Sequence, residues 1–309
     1  LLANKEDLLL EARNGASALS PLPDPLHERL VNLLRTYMLV GGMPECVAKW
    51  VETHNYLLCQ EVQDDILVSY EDDFPKYKKK ADVNLLRNIL RSAAIQATKK
   101  FVYSKVGDYK NIEVKNALDL LILAGLLIPV THTSANGLPL GSEADHSYRK
   151  ILFFDCGLML RLLGITTGDT TTLATQILTS TAADLVNKGT IAELVVGLEM
   201  LHYMTPNLRH ELYYWVRLSK NSLAEIDYLL PSHLQILPIE VKAGSQGGMK
   251  SLWSFMREKH LTEAIRCSLE NFGSFSHTDK EDGDTARHVS VIPLYAVSQI
   301  IKITTSDRM

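Results

Sequence analysis

"AEIDYLLPSHLQILPIEVKAG", Ala224 to Gly244, joins two apolar runs through a polar break. The first run carries Asp227; the second carries Glu240 and Lys242 with one apolar residue between them. Side chains two apart on a strand share a face. Glu240 and Lys242 therefore point one way, while Ile239 and Val241 point the other way, toward a core. Pairing the two runs as a hairpin sets Asp227 beside Glu240, so that two carboxylates and one ammonium converge. Carboxylate oxygens are the ligands that Mg²⁺ prefers. A lysine beside them orients or deprotonates a water, or offsets charge on a phosphate. The set suits metal-assisted hydrolysis of a phosphodiester, with Asp227 and Glu240 as ligands to Mg²⁺ or Mn²⁺ and Lys242 placing the water or phosphate. Glu193, in the helix before the first strand, shares a turn with Ala192 and Val196 and is the expected further carboxylate. Glu199 falls on a different face. A solvated cross-strand ion pair is the other reading of Glu-x-Lys, and the spacing alone does not separate the two.

Working outward, "GTIAELVVGLEMLHYM" reads as the helix before the strands "ELYYWVRL", "AEIDYLL" and "LQILPIEVKAG". A helix, "GGMKSLWSFMREKH", follows, then a polar insert at Ser276–Arg287 and a last strand, "VSVIPLYAV". This is an α/β unit with a mixed sheet. N-terminal to it the period changes. "LHERLVNLLRTYMLV" has apolar residues at three- and four-residue spacing and predicts a helix, which "GGMPE" ends. "VNLLRNILRSAAIQATKK", "FVYSKVGDY" and "NIEVKNALDLLILAGLLIPV" predict helix, turn and helix. The glycine-containing tip "THTSANGLPLGSEADHSYRK" and the strand "KILFFD" close a hairpin. Helices followed by a hairpin in this order describe a winged helix-turn-helix; a generic helical bundle with an appended hairpin fits the pattern equally. "SPLPDPL" is a proline-rich hinge. The expected organisation is α/β (α+β): residues 1–24 a tail and linker, 25–182 a helical, winged-helix-like domain, and 183–309 the mixed-sheet domain.

Composition excludes several classes. At 46% hydrophobic and 22% charged the chain is ordinary globular protein, and a net charge of −4 supplies no global basic field for nucleic acid. "YKKK" at Tyr77–Lys80, with Lys99 and Lys100, offers a local basic face, although such runs are usually just solvated. The cysteines at 46, 59, 156 and 267 form no CxxC pair, so neither a zinc site nor a disulfide framework is expected, and a reducing cytoplasm fits. The histidines show no HExxH or HxH spacing. No apolar run reaches the roughly 18 residues of a membrane span, so no membrane partner is expected. Tyr213, Tyr214 and Trp215 could stack on bases, with core packing the commoner use. The chain opens on Leu inside an expected helix, which suggests a fragment of something longer.

"LVGGMPE" (Leu39–Glu45), "DDILVSYEDDFPKY" (Asp64–Tyr77), "KILFFDCGLMLRLLG" (Lys150–Gly164), "GTIAELVV", "AEIDYLL" and "PIEVKAG" occur in that order. Together they resemble the C-terminal region of prokaryotic AAA-type P-loop ATPases that end in domain of unknown function 4143. The resemblance implies a winged-helix-like middle and a PD-(D/E)XK nuclease-like fold, with the nuclease-like positions at Glu193, Asp227, Glu240 and Lys242. It also implies DNA as a partner, or a protein partner for a catalytically inactive module, and coupling to an ATPase domain of the parent. Asp155 and Gly157 match the family's Asp-x-Gly segment, for which a structural role is expected: an Asp before a glycine turn is satisfied by local backbone N–H groups. One departure stands out. There is no GxxxxGK[ST] phosphate loop, so ATP is not expected to bind these residues. "LLANKEDLLLEA" resembles the last helical stretch of that absent domain.

Overall fold

The computed structural model describes residues 7–167, 188–205, 207, 210–217, 224–242 and 248–305. Leu1–Glu6 of the "LLANKEDLLLEA" stretch, and the Ala243–Gly244 end of "PIEVKAG", lie outside the described residues. The architecture is mixed α/β. Two compact units divide the described chain. Residues 33–129 and 150–167 form the first; residues 7–32, 130–149 and 188–305 form the second.

The first unit is helical. After α1 (Asp7–Gly15), helix α2 (Asp24–Val40) carries the chain into it. There it holds α3 (Pro44–Thr53), α4 (Tyr56–Asp73), α5 (Val83–Ile95), α6 (Asn111–Leu123) and α7 (Cys156–Thr167). The N-termini begin where the sequence supplies a cap: Asn55 accepts from Leu57 N at 3.0 Å and Asp82 from Leu85 N at 2.9 Å. On α5 the residues Leu85, Leu86, Ile89, Leu90, Ala93 and Ala94 are buried, the i, i+4 stripe of an amphipathic helix. Each large aliphatic side chain there contributes about 1.5–3 kcal/mol by leaving water. A short 3-10 turn, Tyr103–Lys105, separates α5 from α6. Lys100 bridges antiparallel to Lys150, and Thr98 N donates to Ile151 O, tying this region to the base of the hairpin.

One loop of this unit is locked by a carboxylate. Asp155 accepts from Gly42 N at 2.7 Å with one oxygen and from Leu158 N at 2.8 Å with the other. Gly41 has φ +77°, and a Cβ there would lie 2.3 Å from Asp155 Oδ1. A Cβ on Gly157 would lie 2.6 Å from the Gly41 nitrogen. Gln63 donates to the carbonyls of Leu39 and Val40, and Arg161 pairs with Asp64 through two nitrogens. The "GGMPE", "DDILVSYEDD" and "FFDCGL" segments therefore assemble one backbone lock.

The second unit is built on a sheet whose strand order is β2-β1-β3-β4-β5-β6-β8-β7. The strands are β1 (Leu127–Thr133), β2 (Ala144–Phe153), β3 (Leu212–Val216), β4 (Glu225–Ser232), β5 (Gln235–Val241), β6 (Glu263–Ser268), β7 (Gly273–Asp279) and β8 (Thr285–Pro293). Pairings β3–β4 and β4–β5 are antiparallel, whereas β5–β6 and β6–β8 are parallel. Helix α8 (Lys188–Tyr203) packs on β5, and α9 (Lys250–Glu258) on β4 and β5; α10 (Ser298–Thr305) packs on α8 and β4. Trp215, Ile226, Leu229, Ile236, Leu252 and Phe255 are in the core between sheet and α9.

The Ser276–Arg287 stretch, expected as a polar insert, is instead most of a hairpin: β7, a 3-10 turn and the start of β8. Its polarity suits β7, which is an outer strand of the sheet with mostly solvent-facing side chains. Residues 7–32 are fastened to this unit. Arg13 donates to Tyr295 O, Gln299 donates to Arg13 O, Leu22 exchanges two hydrogen bonds with the Asn271 side chain, and His27 meets the Tyr295 hydroxyl at 2.7 Å.

Candidate functional site

The β4–β5 ladder runs from Ser232↔Gln235 to Tyr228↔Ile239 and continues no further toward Asp227. On its other side, the β3–β4 register steps from Tyr213↔Leu229 to Trp215↔Ile226, which leaves one extra residue in β4. The irregularity falls on Asp227 and Tyr228. A bulge of this kind re-aims a side chain and ends regular pairing. Asp227 uses the freedom to take a backbone donor: its Oδ2 accepts from Val241 N at 2.8 Å. The carboxylate is thereby held against the backbone between Glu240 and Lys242.

Glu240 is 4% exposed and pairs through Oε1 with the Lys242 ammonium. Burial pulls the Lys242 pKa down, but the charge and hydrogen bond of Glu240 and the charge of Asp227 more than offset it, so the net shift is upward. Lys242 is therefore a held cation at neutral pH. Asp227, Glu240 and Lys242 thus come together as the sequence suggests, at the end of β5 where β4 begins.

Glu193 is placed differently. It is buried on α8, and its backbone carbonyl accepts the Tyr228 hydroxyl at 2.7 Å. Burial, then the charges of Glu193, Asp227 and Cys267, keep the Tyr228 phenol well above its ordinary pKa. Tyr228 is thus a neutral pin between α8 and the bulge that presents Asp227. No sequence signal marks it, since a tyrosine in an apolar strand reads as packing.

Arg266 was also not singled out by the sequence. It lies on β6 in parallel register with Glu240, while Lys242 N donates to Cys267 O at 2.8 Å. Arg266 is 8% exposed and pairs with Glu270 at 3.4 Å. The signal lies in "EAIRCS", where a charge interrupts an apolar strand just as Asp227 and Glu240 do, but the stretch is too short and polar to announce β6. Among the described residues, no group of three or more His, Cys, Asp and Glu side chains is arranged to hold a metal ion. The four cysteines are buried and none forms a disulfide.

Other expected features fall elsewhere. Tyr214 and Trp215 are core residues. Lys78, Lys79, Lys80, Lys99 and Lys100 are exposed in the first unit. Helix α6, the one a helix-turn-helix would offer to a groove, carries a single cation, Lys115, which pairs with Asp119 at 2.9 Å. A cavity of about 1240 Å³ opens beside Leu138, Tyr203, Tyr213 and Leu234. It borders the β4–β5 turn, at the opposite end of those strands from Asp227 and Glu240. No helix among the described residues is long and apolar enough to cross a membrane.

No curated protein and no solved structure matches the chain. Residues 31–169, largely the helical unit, match the family model of a domain of unknown function (DUF8612). Residues 188–297, which contain Glu193, Asp227, Glu240, Lys242 and Arg266, match that of the domain of unknown function (DUF4143).

Proposed function

We propose that residues 188–297 act as the nuclease-like C-terminal module of a prokaryotic AAA-type ATPase, binding DNA through its phosphodiester backbone and cleaving it with a divalent cation. The observation that carries this reading is the convergence of Asp227, Glu240 and a protonated Lys242 at one sheet end. The element order α8–β3–β4–β5–α9–β6, antiparallel through β5 and then parallel, agrees with a PD-(D/E)XK plan. The donor set suits a hard cation that keeps most of its waters: two carboxylates on adjacent strands, each with one oxygen already oriented by a hydrogen-bond donor. A bound Mg²⁺ or Mn²⁺ supplies Lewis-acid polarisation of the phosphate and a more acidic water. Asp227 and Glu240 would hold it. Lys242 sets positive charge beside the phosphate, and Glu193 supports the site through the Tyr228 pin. ATP hydrolysis belongs to the parent protein in this reading, and DNA contact is assigned to this module rather than to α6.

A second reading has its own observation. Glu240 is already answered by Lys242, and no third described carboxylate, His or Cys joins the pair. That favours a catalytically inactive module that binds DNA or a protein partner for the ATPase. Incubating plasmid and single-stranded DNA with the chain and Mn²⁺ separates the two. Cleavage by wild type that disappears in Glu240→Gln supports the enzyme. Retention of DNA without cleavage, unchanged in Glu240→Gln, supports the binding module.

A further inference from the structure

The site has two cations but two kinds of pairing. Lys242 is drawn to Glu240 and, electrostatically, to Asp227. Arg266 stands one strand further on, in register with Glu240. Residues in register on adjacent strands point to the same face, so Arg266 and Glu240 are neighbours on one surface. Its charge also reaches Lys242, whose pKa it lowers. Toward Glu270, Arg266 makes a long contact of 3.4 Å. In the same unit, Arg257 grips Asp279 with two hydrogen bonds of 2.9 Å. Glu270 itself sits just past β6, with its side chain 37% exposed, and is oriented by Ser268 Oγ at 3.2 Å. An almost buried guanidinium beside the acidic pair thus faces a carboxylate at the solvent boundary.

We propose that Arg266 is a phosphate-binding residue of this site, with the Glu270 carboxylate standing where a phosphate oxyanion binds. Carboxylate and phosphate are the two oxyanions that a guanidinium fork receives in the same way. Two carboxylates repel an incoming phosphate unless a further cation meets it, and Lys242 is already committed to Glu240. Glu270 meets one nitrogen of the guanidinium when no substrate is present and turns out to solvent when phosphate arrives. This deepens the phosphodiester reading and rests on it for the substrate class.

Inorganic phosphate is the probe, titrated into the metal-free full chain at constant ionic strength and followed by thermal melting and by calorimetry. Glu270→Gln removes the competing charge and should bind phosphate about tenfold more tightly than wild type, since a charge-assisted hydrogen bond is of that size. Arg266→Lys, which keeps the charge but loses the fork, should bind more weakly than wild type. Arg266→Gln should abolish binding. If wild type, Glu270→Gln and Arg266→Lys respond alike to phosphate, the proposal is wrong, even if Arg266→Gln fails to fold. DNA is assayed in parallel. A phosphate response that follows these three variants, in a protein that neither binds nor cuts DNA, would remove the nuclease reading and leave the anion site. DNA cleavage unaffected by Glu270→Gln and Arg266→Lys would do the reverse.

Discussion

The second unit carries two clusters of charge on one sheet, and they are built differently. At the β7–β8 hairpin, Arg287 is 0% exposed and pairs with Asp279 at 2.8 Å and Asp282 at 2.5 Å. Arg257 holds Asp279 from α9 through two nitrogens and also pairs with Glu281. Each of these guanidiniums meets more than one carboxylate in short pairs, and that of Arg257 with Asp279 is forked. At the β4–β5–β6 end, the cation nearest the acids is a lysine, one acid is aimed by a bulge, and Arg266 meets Glu270 at 3.4 Å. Arginine forks that close on their partners make a fastening. The other end instead sets a compact ammonium among acids, with a longer arginine–carboxylate contact beside it.

The hairpin cluster should therefore be the more costly to break and the less important to ligands. Arg287→Gln leaves Asp279 and Asp282 facing an uncharged, shorter side chain inside the protein. It should destabilise by roughly 3–5 kcal/mol, the usual cost of breaking a buried pair, and should leave the melting response to Mn²⁺ or phosphate unchanged. The same cluster sets an acid limb. Hydrogen bonding from Arg257, helped by the Glu281 amide and the Arg257 and Arg287 charges, outweighs burial and holds the Asp279 carboxyl below its ordinary value of 3.8. A carboxylate whose pKa falls on folding contributes stability that is present above its unfolded pKa and is lost as pH drops through the folded one. Melting curves taken downward from pH 5 should show this loss below about pH 3.8, and Asp279→Asn should flatten it. A limb of equal steepness in Asp279→Asn would assign it to other carboxylates.

The first unit offers an aspartate whose two oxygens each accept a backbone N–H, which sharpens the contrast. A Cβ at Gly157 would meet Gly41 N at 2.6 Å and Val40 O at 2.7 Å. Those are main-chain atoms that cannot rotate away, so Gly157→Ala should cost about 3 kcal/mol by overpacking. Asp155→Asn keeps one oxygen and turns an amide toward the other N–H, which should cost roughly 2 kcal/mol. Urea midpoints check both. A neutral Asp155→Asn would mean that the lock is held by α4 through Gln63 and Asp64 instead.

Much of this was legible, for reasons that differ by region. Helical periodicity and strand alternation are local properties, and they mark α5 and α6 as well as β4 and β5. That Glu240 and Lys242 share a face follows from side-chain period, whereas Asp227 reaches them where regular pairing has ended. The structural role of Asp155 follows from a carboxylate beside a glycine turn, although its grip on Gly42, distant in sequence, does not. β6 is not legible because "EAIRCS" is short and holds charges, and the β7–β8 hairpin is not because an outer strand has no apolar face to advertise. The bulge at Asp227, the Tyr228 pin and the Arg266–Glu240 register are properties of pairing between strands. So is the grouping of residues 7–32 with the C-terminal sheet, which rests on contacts such as Leu22 with Asn271.

The smallest change in stability is expected where the chemistry matters most. Asp227 resembles Asp155 in one respect, since it also accepts a backbone N–H, that of Val241. It differs in lying beside a second carboxylate. Asp227→Asn keeps a carbonyl oxygen for the Val241 N–H and removes a charge that repels Glu240 but attracts Lys242, two effects that oppose each other. Metal-free melting should stay within about 1 kcal/mol of wild type, because the hydrogen bond survives and the two charge effects offset. Wild type should melt higher as Mn²⁺ is added, in the manner of any ligand that binds only the folded state, and Asp227→Asn should lose that rise. Asp227→Ala provides the scale: it has no acceptor for Val241 and should be less stable than Asp227→Asn. A clear loss of metal-free stability in Asp227→Asn, with the Mn²⁺ response intact, would make Asp227 a second Asp155, a carboxylate spent on the backbone, and the metal would have to be sought elsewhere.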